Sequence, residues 1–139
     1  MTTDIRSALE GRLKDFAATK SLKVVWENVS TSSTITTPHF ISRLIRGTTQ
    51  DPSLGANHQR HTGVYRITYR IPGGINKGTG AMEAMLEELI AYFPRGLQLT
   101  HDGVITRITS TPSMSPDIGY EGNDIFNSVT ISYRTEILT

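Results

Sequence analysis

The chain has 139 residues, 37% of them hydrophobic and 19% charged, which is enough apolar material for one packed core and too much for general disorder. Lys and Arg number 14 against 13 Asp and Glu, a formal charge of +1 that falls far short of the basic excess needed to bind a phosphate backbone, so specific nucleic-acid binding is not expected. The absence of cysteine excludes disulfides, thiolate metal sites and a cysteine nucleophile. No apolar run approaches the roughly 18 residues of a membrane span, and the stretch from Met1 to Arg6 lacks an apolar signal segment, so neither a membrane nor a secretory route is expected.

In chain order, Ile5, Leu9, Leu13 and Phe16 recur at helical spacing, with Arg6, Glu10, Lys14 and Asp15 mostly on the other side. This predicts a first helix with Thr3 as N-cap, Asp4 complementing the helix dipole and an exit at Lys20-Ser21. Leu22 to Trp26 reads as a short strand. Asn28 to Pro38, rich in Ser and Thr, reads as a loop with extended character from Thr34 to Thr37. His39 to Arg46 is a second strand, followed by a break of turn-forming residues from Gly47 to Arg60. Beyond it, Tyr65, Ile67, Tyr69 and Ile71 alternate with Val64, Arg66, Thr68 and Arg70, the period of a strand with one apolar and one charged face. Pro72-Gly73-Gly74 ends that strand.

Met82, Met85, Leu86, Leu89, Ile90 and Phe93 then mark a second helix, with Glu83, Glu87 and Glu88 turned outward and Pro94 as the stop. Leu97 to Leu99, Val104 to Thr109 and Ile125 to Leu138 supply three closing strands, the last with Ile125, Val129, Ile131, Tyr133 and Ile137 in phase. The expected fold is therefore α+β over residues 1–139, two helices packed on a mainly antiparallel sheet in the order α-β-β-β-α-β-β-β.

Four features invite a chemical reading. Gly73-Gly74-Ile75-Asn76-Lys77-Gly78-Thr79 lies between a strand and a helix like a phosphate loop, but its lysine precedes the final glycine, and a structural turn with Thr79 as helix cap fits better. His58 and His61 offer two imidazoles with no third ligand near in sequence, which is too little for a metal site. His101-Asp102-Gly103 resembles an acid–base pair less than a tight turn between short strands. Asn28-Val29-Ser30 matches a glycosylation sequon without a secretory signal to give it consequence. No catalytic, cofactor-binding or metal residue is assigned, and no cofactor is expected.

Several stretches together resemble the family of phage tail-terminator-like proteins related to the terminator of lambda-like tails. They are Ile5-Arg6-Ser7-Ala8-Leu9-Glu10-Gly11-Arg12-Leu13, Val25-Trp26-Glu27-Asn28, Gly47-Thr48-Thr49-Gln50-Asp51-Pro52-Ser53-Leu54-Gly55, His61-Thr62-Gly63-Val64-Tyr65, Gly78-Thr79-Gly80-Ala81 and Phe93-Pro94-Arg95-Gly96-Leu97. The resemblance spans nearly the whole chain, with departures at His39 to Arg46 and in the longer, more polar segment from Met114 to Asp124. It implies a virion tail protein, assembled in the host cytoplasm, that forms a homo-hexameric ring on the major tail-tube protein. The ring ends tube polymerisation and meets a head-completion protein. The alternatives in other classes are a small nucleotide- or metal-binding enzyme and a monomeric adaptor.

Within that expectation, Thr48, Asp51, Leu54 and Arg60 of the long loop, with Arg66 and Arg70 on the charged face of the third strand, are the candidate contacts to the tube or to a neighbouring subunit. The loop offers hydrogen-bonding groups but only Leu54 as a sizeable apolar anchor, so it is expected to be poorly ordered until docked.

Overall fold

A computed structural model describes residues 2–27, 35, 37–52, 57–73 and 78–138. The first helix, α1, spans Thr2–Thr19 and buries Ile5, Leu9, Leu13 and Phe16 along one stripe. Thr3 falls inside the first turn instead of capping it, whereas Asp4 does occupy that turn. The exit is a Schellman turn: Ser21 adopts φ 55°, its N–H donates to the Ala18 carbonyl at 3.2 Å, and the Leu22 N–H reaches the Ala17 carbonyl at 2.9 Å.

Strands β1 (Lys23–Val25), β2 (His39–Arg46) and β3 (His58–Ile71) follow, then helix α2 (Gly78–Tyr92). Five strands close the chain: β4 (Gln98–His101), β5 (Val104–Ile108), β6 (Ser113–Met114), β7 (Gly119–Glu121) and β8 (Asp124–Leu138). They form a sheet of order β1-β2-β3-β8-β5-β4, with β6 and β7 also paired to β8.

Three sequence expectations need correction here. The sheet is mixed, because β1 runs parallel to β2 with Val24 beside Phe40; the 13 residues between them, 26–38, suffice for the crossover that a parallel neighbour requires. Five strands follow α2, not three, because β6 and β7 are too short to carry a period. Third, β3 begins at His58, so the break after β2 ends before Arg60. Thr79 likewise lies within α2, which begins at Gly78, and so does not cap it. Asn28 to Ser30, Leu54 and Lys77 lie outside the described residues, as do Thr34 and Thr36 of the stretch expected to be extended.

The long ladder between β3 and β8 organises the sheet. It pairs His58 with Leu138 at one end and Ile71 with Ile125 at the other, a continuous antiparallel register of 14 residues per strand, about 48 Å at ~3.4 Å per residue. The other edge of β8 is taken in succession by β7, β6 and β5. Along the ladder Tyr65, Ile67, Tyr69 and Ile71 face the same side as Val129, Ile131 and Tyr133, and all seven are buried. Both helices cover this side. Met82, Leu86 and Leu89 of α2, with Phe93 just past its end, join the α1 stripe, Phe40, Leu44 and Ile108 in one cluster, and fully burying side chains of this size contributes about 1.5–3 kcal/mol each.

Directional contacts lock the layers. Phe16 packs on Phe40 and Tyr92 with ring centroids 5.9 and 5.2 Å away. The Arg12 guanidinium lies 3.8 Å from the Tyr92 ring centroid and donates to the Tyr92 carbonyl at 2.8 and 3.0 Å, placing a cation at the C-terminal end of α2. Glu27 accepts from the Leu44 backbone N–H and pairs with Arg6 at 3.3 Å, tying the segment after β1 to β2 and α1. Inside the core, the Ser42 and Tyr65 hydroxyls share a hydrogen bond of 2.5 Å, and burial pushes the Tyr65 phenol well above its ordinary pKa.

Gly63 sits in β3 where a methyl group has no room: a Cβ there would strike the Ile45 carbonyl and lie 2.6 Å from the Tyr133 hydroxyl. Gly63→Ala is expected to destabilise the protein by about 1–3 kcal/mol through overpacking. Urea unfolding measures this, and an unchanged midpoint would mean that the strand yields at no cost.

Candidate assembly surface

Strand alternation gives the sheet a second face, which neither α1 nor α2 covers among the described residues. Reading outward-facing positions across the register, Arg43 of β2 lies directly opposite Arg66 of β3, and Arg107 of β5 directly opposite Arg134 of β8. Arg43, Arg66 and Arg107 are exposed and Arg134 is half-buried. Ile41, Ile45 and Val64 lie half-buried on the same face.

Two other arginines on this side are already engaged. Arg70 donates through Nε and Nη2 to one Asp124 oxygen at 3.0 and 2.9 Å and through Nη1 to Glu121 at 3.2 Å. The second Asp124 oxygen accepts from the Gly73 backbone N–H at 2.6 Å. Those donors, the Gly73 amide first and Arg70 next, hold the Asp124 carboxyl below its ordinary pKa. At the opposite end of the ladder Arg60 donates twice to Glu136, at 2.9 and 2.6 Å, and lowers its pKa in the same way. His58 approaches that carboxylate at 3.6 Å.

Each sequence candidate now has a place. Thr48 and Asp51 are exposed just past β2, and Leu54 lies outside the described residues. Arg60 is a residue of β3 and not of the loop, and it pairs with Glu136. Arg66 is the exposed member of its strand, whereas Arg70 is committed to Asp124 and Glu121. The flanks of the loop are paired: Gln50 and Arg60 exchange backbone hydrogen bonds of 2.9 and 2.7 Å, and the Gly47 N–H donates to the Thr62 carbonyl at 2.8 Å. Sequence reading missed Arg43, Arg107 and Arg134, whose alignment depends on pairing between distant strands.

The four chemical readings resolve differently. His58 and His61 stand three apart on one strand and so point to opposite faces, with His61 Nδ1 3.3 Å from the Thr49 hydroxyl. They cannot chelate one ion together. At Gly73, an amide that a phosphate would need donates to Asp124 instead. Asp102 and Gly103 form the two-residue turn of the β4–β5 hairpin, both at positive φ (48° and 79°) as a type I′ turn demands. His101 Nδ1 lies 3.1 Å from Asp4, which joins this turn to the start of α1. The potential ligand atoms of Asp4, His101 and Asp102 lie within 4.8 Å of one another, but Asp102 is exposed and the hydrogen bond from His101, first among its causes, already holds Asp4 below its ordinary pKa. The geometry is that of a surface tether. The sequon is among the undescribed residues.

The described residues form a two-layer α+β fold with an arginine-bearing sheet face turned away from both helices. The family model described as "Phage tail terminator protein" matches residues 4–133, and the chain belongs to that family of phage tail structural proteins. A solved protein chain superposes with a TM-score of 0.77 over 94% of this chain and 92% of its own, at 24% sequence identity, which establishes the shared fold. A search of curated proteins gave no match. Among the described residues no helix is long and apolar enough to cross a membrane.

The Asp124 and Glu136 clamps carry a pH signature. Both carboxylates titrate lower in the fold than in the unfolded chain, so they stabilise it fully above about pH 4.5 and cease to do so as the pH falls through their depressed values. The melting-temperature gap between wild type and Asp124→Asn should therefore be widest near neutrality and close on acidification. A gap independent of pH would show that the charge of Asp124 is not its source.

Proposed function

We propose that this protein closes as a six-fold ring on the last ring of the tail tube, stops further addition of the tube protein, and presents its other side to the head-completion protein. The observation that carries this reading is the family match across residues 4–133, nearly the full chain. The mechanism is geometric and not catalytic: a closed set of heterologous contacts makes a ring, and a ring whose two sides differ can accept the tube on one side only. The nucleotide-binding reading loses its support at Gly73, whose amide is occupied by Asp124, and the metal reading loses its support at His58 and His61, which face apart. Thr48, Asp51 and Leu54 remain the loop residues offered to the tube or a neighbour, and ordering a loop on docking would cost conformational entropy that the contact must offset.

Electron microscopy of an assembly reaction is the direct test. Without the protein, tails should grow past their set length and remain headless; tails of normal length in its absence would overturn the proposal. The loop is tested in the same reaction. Leu54→Asp should leave the melting temperature of the free subunit near that of wild type and yet fail to terminate tails. Normal tails from Leu54→Asp would reduce the loop to a surface connection.

A further inference from the structure

The geometry points to one particular contact between copies: the arginine face of the sheet of one subunit docks on the glutamate side of α2 of the next. This deepens the ring reading above and rests on it.

The sheet face is unbalanced in charge. Its carboxylates at Glu121, Asp124 and Glu136 are taken by Arg70 and Arg60, while Arg43, Arg66 and Arg107 have no carboxylate partner among the described residues and Arg134 has only the longer-range attraction of Glu136. The register sets these four as two directly opposed like-charged pairs, an arrangement that disfavours the isolated sheet. On the other side of the molecule α2 contains three glutamates and no lysine or arginine. Glu88 pairs with Lys20, but Glu83 and Glu87 are exposed, one helical turn apart, and without an ionic partner among the described residues. Like charges at that spacing also disfavour the isolated helix. Because α2 buries Met82, Leu86 and Leu89 against the covered side of the sheet, its glutamates project away from the arginine face of their own subunit.

Each surface repels a copy of itself, which argues against a two-fold, face-to-face dimer. Each complements the other, which favours head-to-tail contact, the kind that repeats around a ring. The spacings agree: Glu83 and Glu87 are separated by about 6 Å of helix rise, and opposed strand residues such as Arg43 and Arg66 by about 4.5–5.5 Å between Cα atoms. Guanidinium groups suit such a contact because each can hold a carboxylate through two parallel N–H donors.

The test is charge exchange in the full-length protein, with ring content measured by native mass spectrometry and light scattering across a salt series and folding checked by melting temperature. Arg43→Glu with Arg66→Glu, and separately Glu83→Arg with Glu87→Arg, should each raise the concentration needed for ring formation at least tenfold. The variant carrying all four changes should regain most of the wild-type ring. If either two-site variant is folded and forms rings like wild type, the contact is wrong while the ring stands. If both fail and the four-site variant stays monomeric although folded, the two surfaces do not meet and the inference falls. A sheet-face variant that keeps its ring but loses retention on heparin or DNA would assign the arginines to a polyanion instead. Wild-type protein that is monomeric at every concentration and within virions would remove the ring reading and this contact with it.

Discussion

Everything else in this subunit hangs on the 14-residue antiparallel register between β3 and β8. Side chains in a strand alternate with period two, so a slip of one residue would carry Tyr65, Ile67 and Tyr69 into solvent and bring Arg66 and Arg70 under the helices. Burial of the aromatic and aliphatic row therefore fixes the register, and the register in turn fixes which arginines share the open face. The ends of the ladder are fastened by charge-assisted hydrogen bonds, Arg70 with Asp124 at one and Arg60 with Glu136 at the other. Gly63, with no side chain to obstruct Tyr133, keeps the interior flush.

The same strand explains why the last third of the chain is so fragmented. β8 needs a partner along both edges, and β3 supplies one edge in a single piece. The other is assembled from β5, β6 and β7, each pairing with only two or three residues of β8. Tight turns make this possible. Asp102-Gly103 closes β4 on β5, and Gly122, at φ 61°, begins the two-residue turn from β7 into β8. The polar segment from Met114 to Asp124 is the part that delivers β7 to this edge.

What was legible in the sequence follows from the range of the forces involved. The bounds of β2, the buried stripes of both helices and the His101-Asp102-Gly103 turn are written in local periodicity and turn chemistry, and the structure keeps them. β6 and β7 were not legible, since two or three residues carry no period and owe their conformation to β8. The parallel direction of β1 depends on where the chain returns after residue 38, which no local pattern encodes. Arg66 was recognised as a surface cation from its own strand. Its apposition to Arg43, and that of Arg107 to Arg134, requires knowing which strands pair and in what register. Arg60 was misplaced because Asn, Gly and Pro upstream suggested a loop, whereas pairing with Glu136 on the far strand extends β3 back to His58.

Charge alone would make a weak joint, since exposed ion pairs contribute a median of about 0–1 kcal/mol each and are screened by salt. The open face has more to offer, because Ile41, Ile45 and Val64 lie half-buried beside Arg43 and Arg66, and Ile105, 46% exposed, flanks Arg107. Arginine set among aliphatic groups is the composition of contact surfaces, with the apolar atoms providing affinity on desolvation and the charges providing register and rejection of wrong partners. That division of labour suits the proposed contact between copies of this protein. Its near-zero net charge of +1 limits long-range repulsion between copies, and the sign change between the two sides leaves head-to-tail stacking as the approach that brings unlike charges together. Whether such stacking closes or continues as a filament depends on the angle between the arginine face and the outer side of α2, which is set by the packing of Met82, Leu86 and Leu89 on the covered side of the sheet.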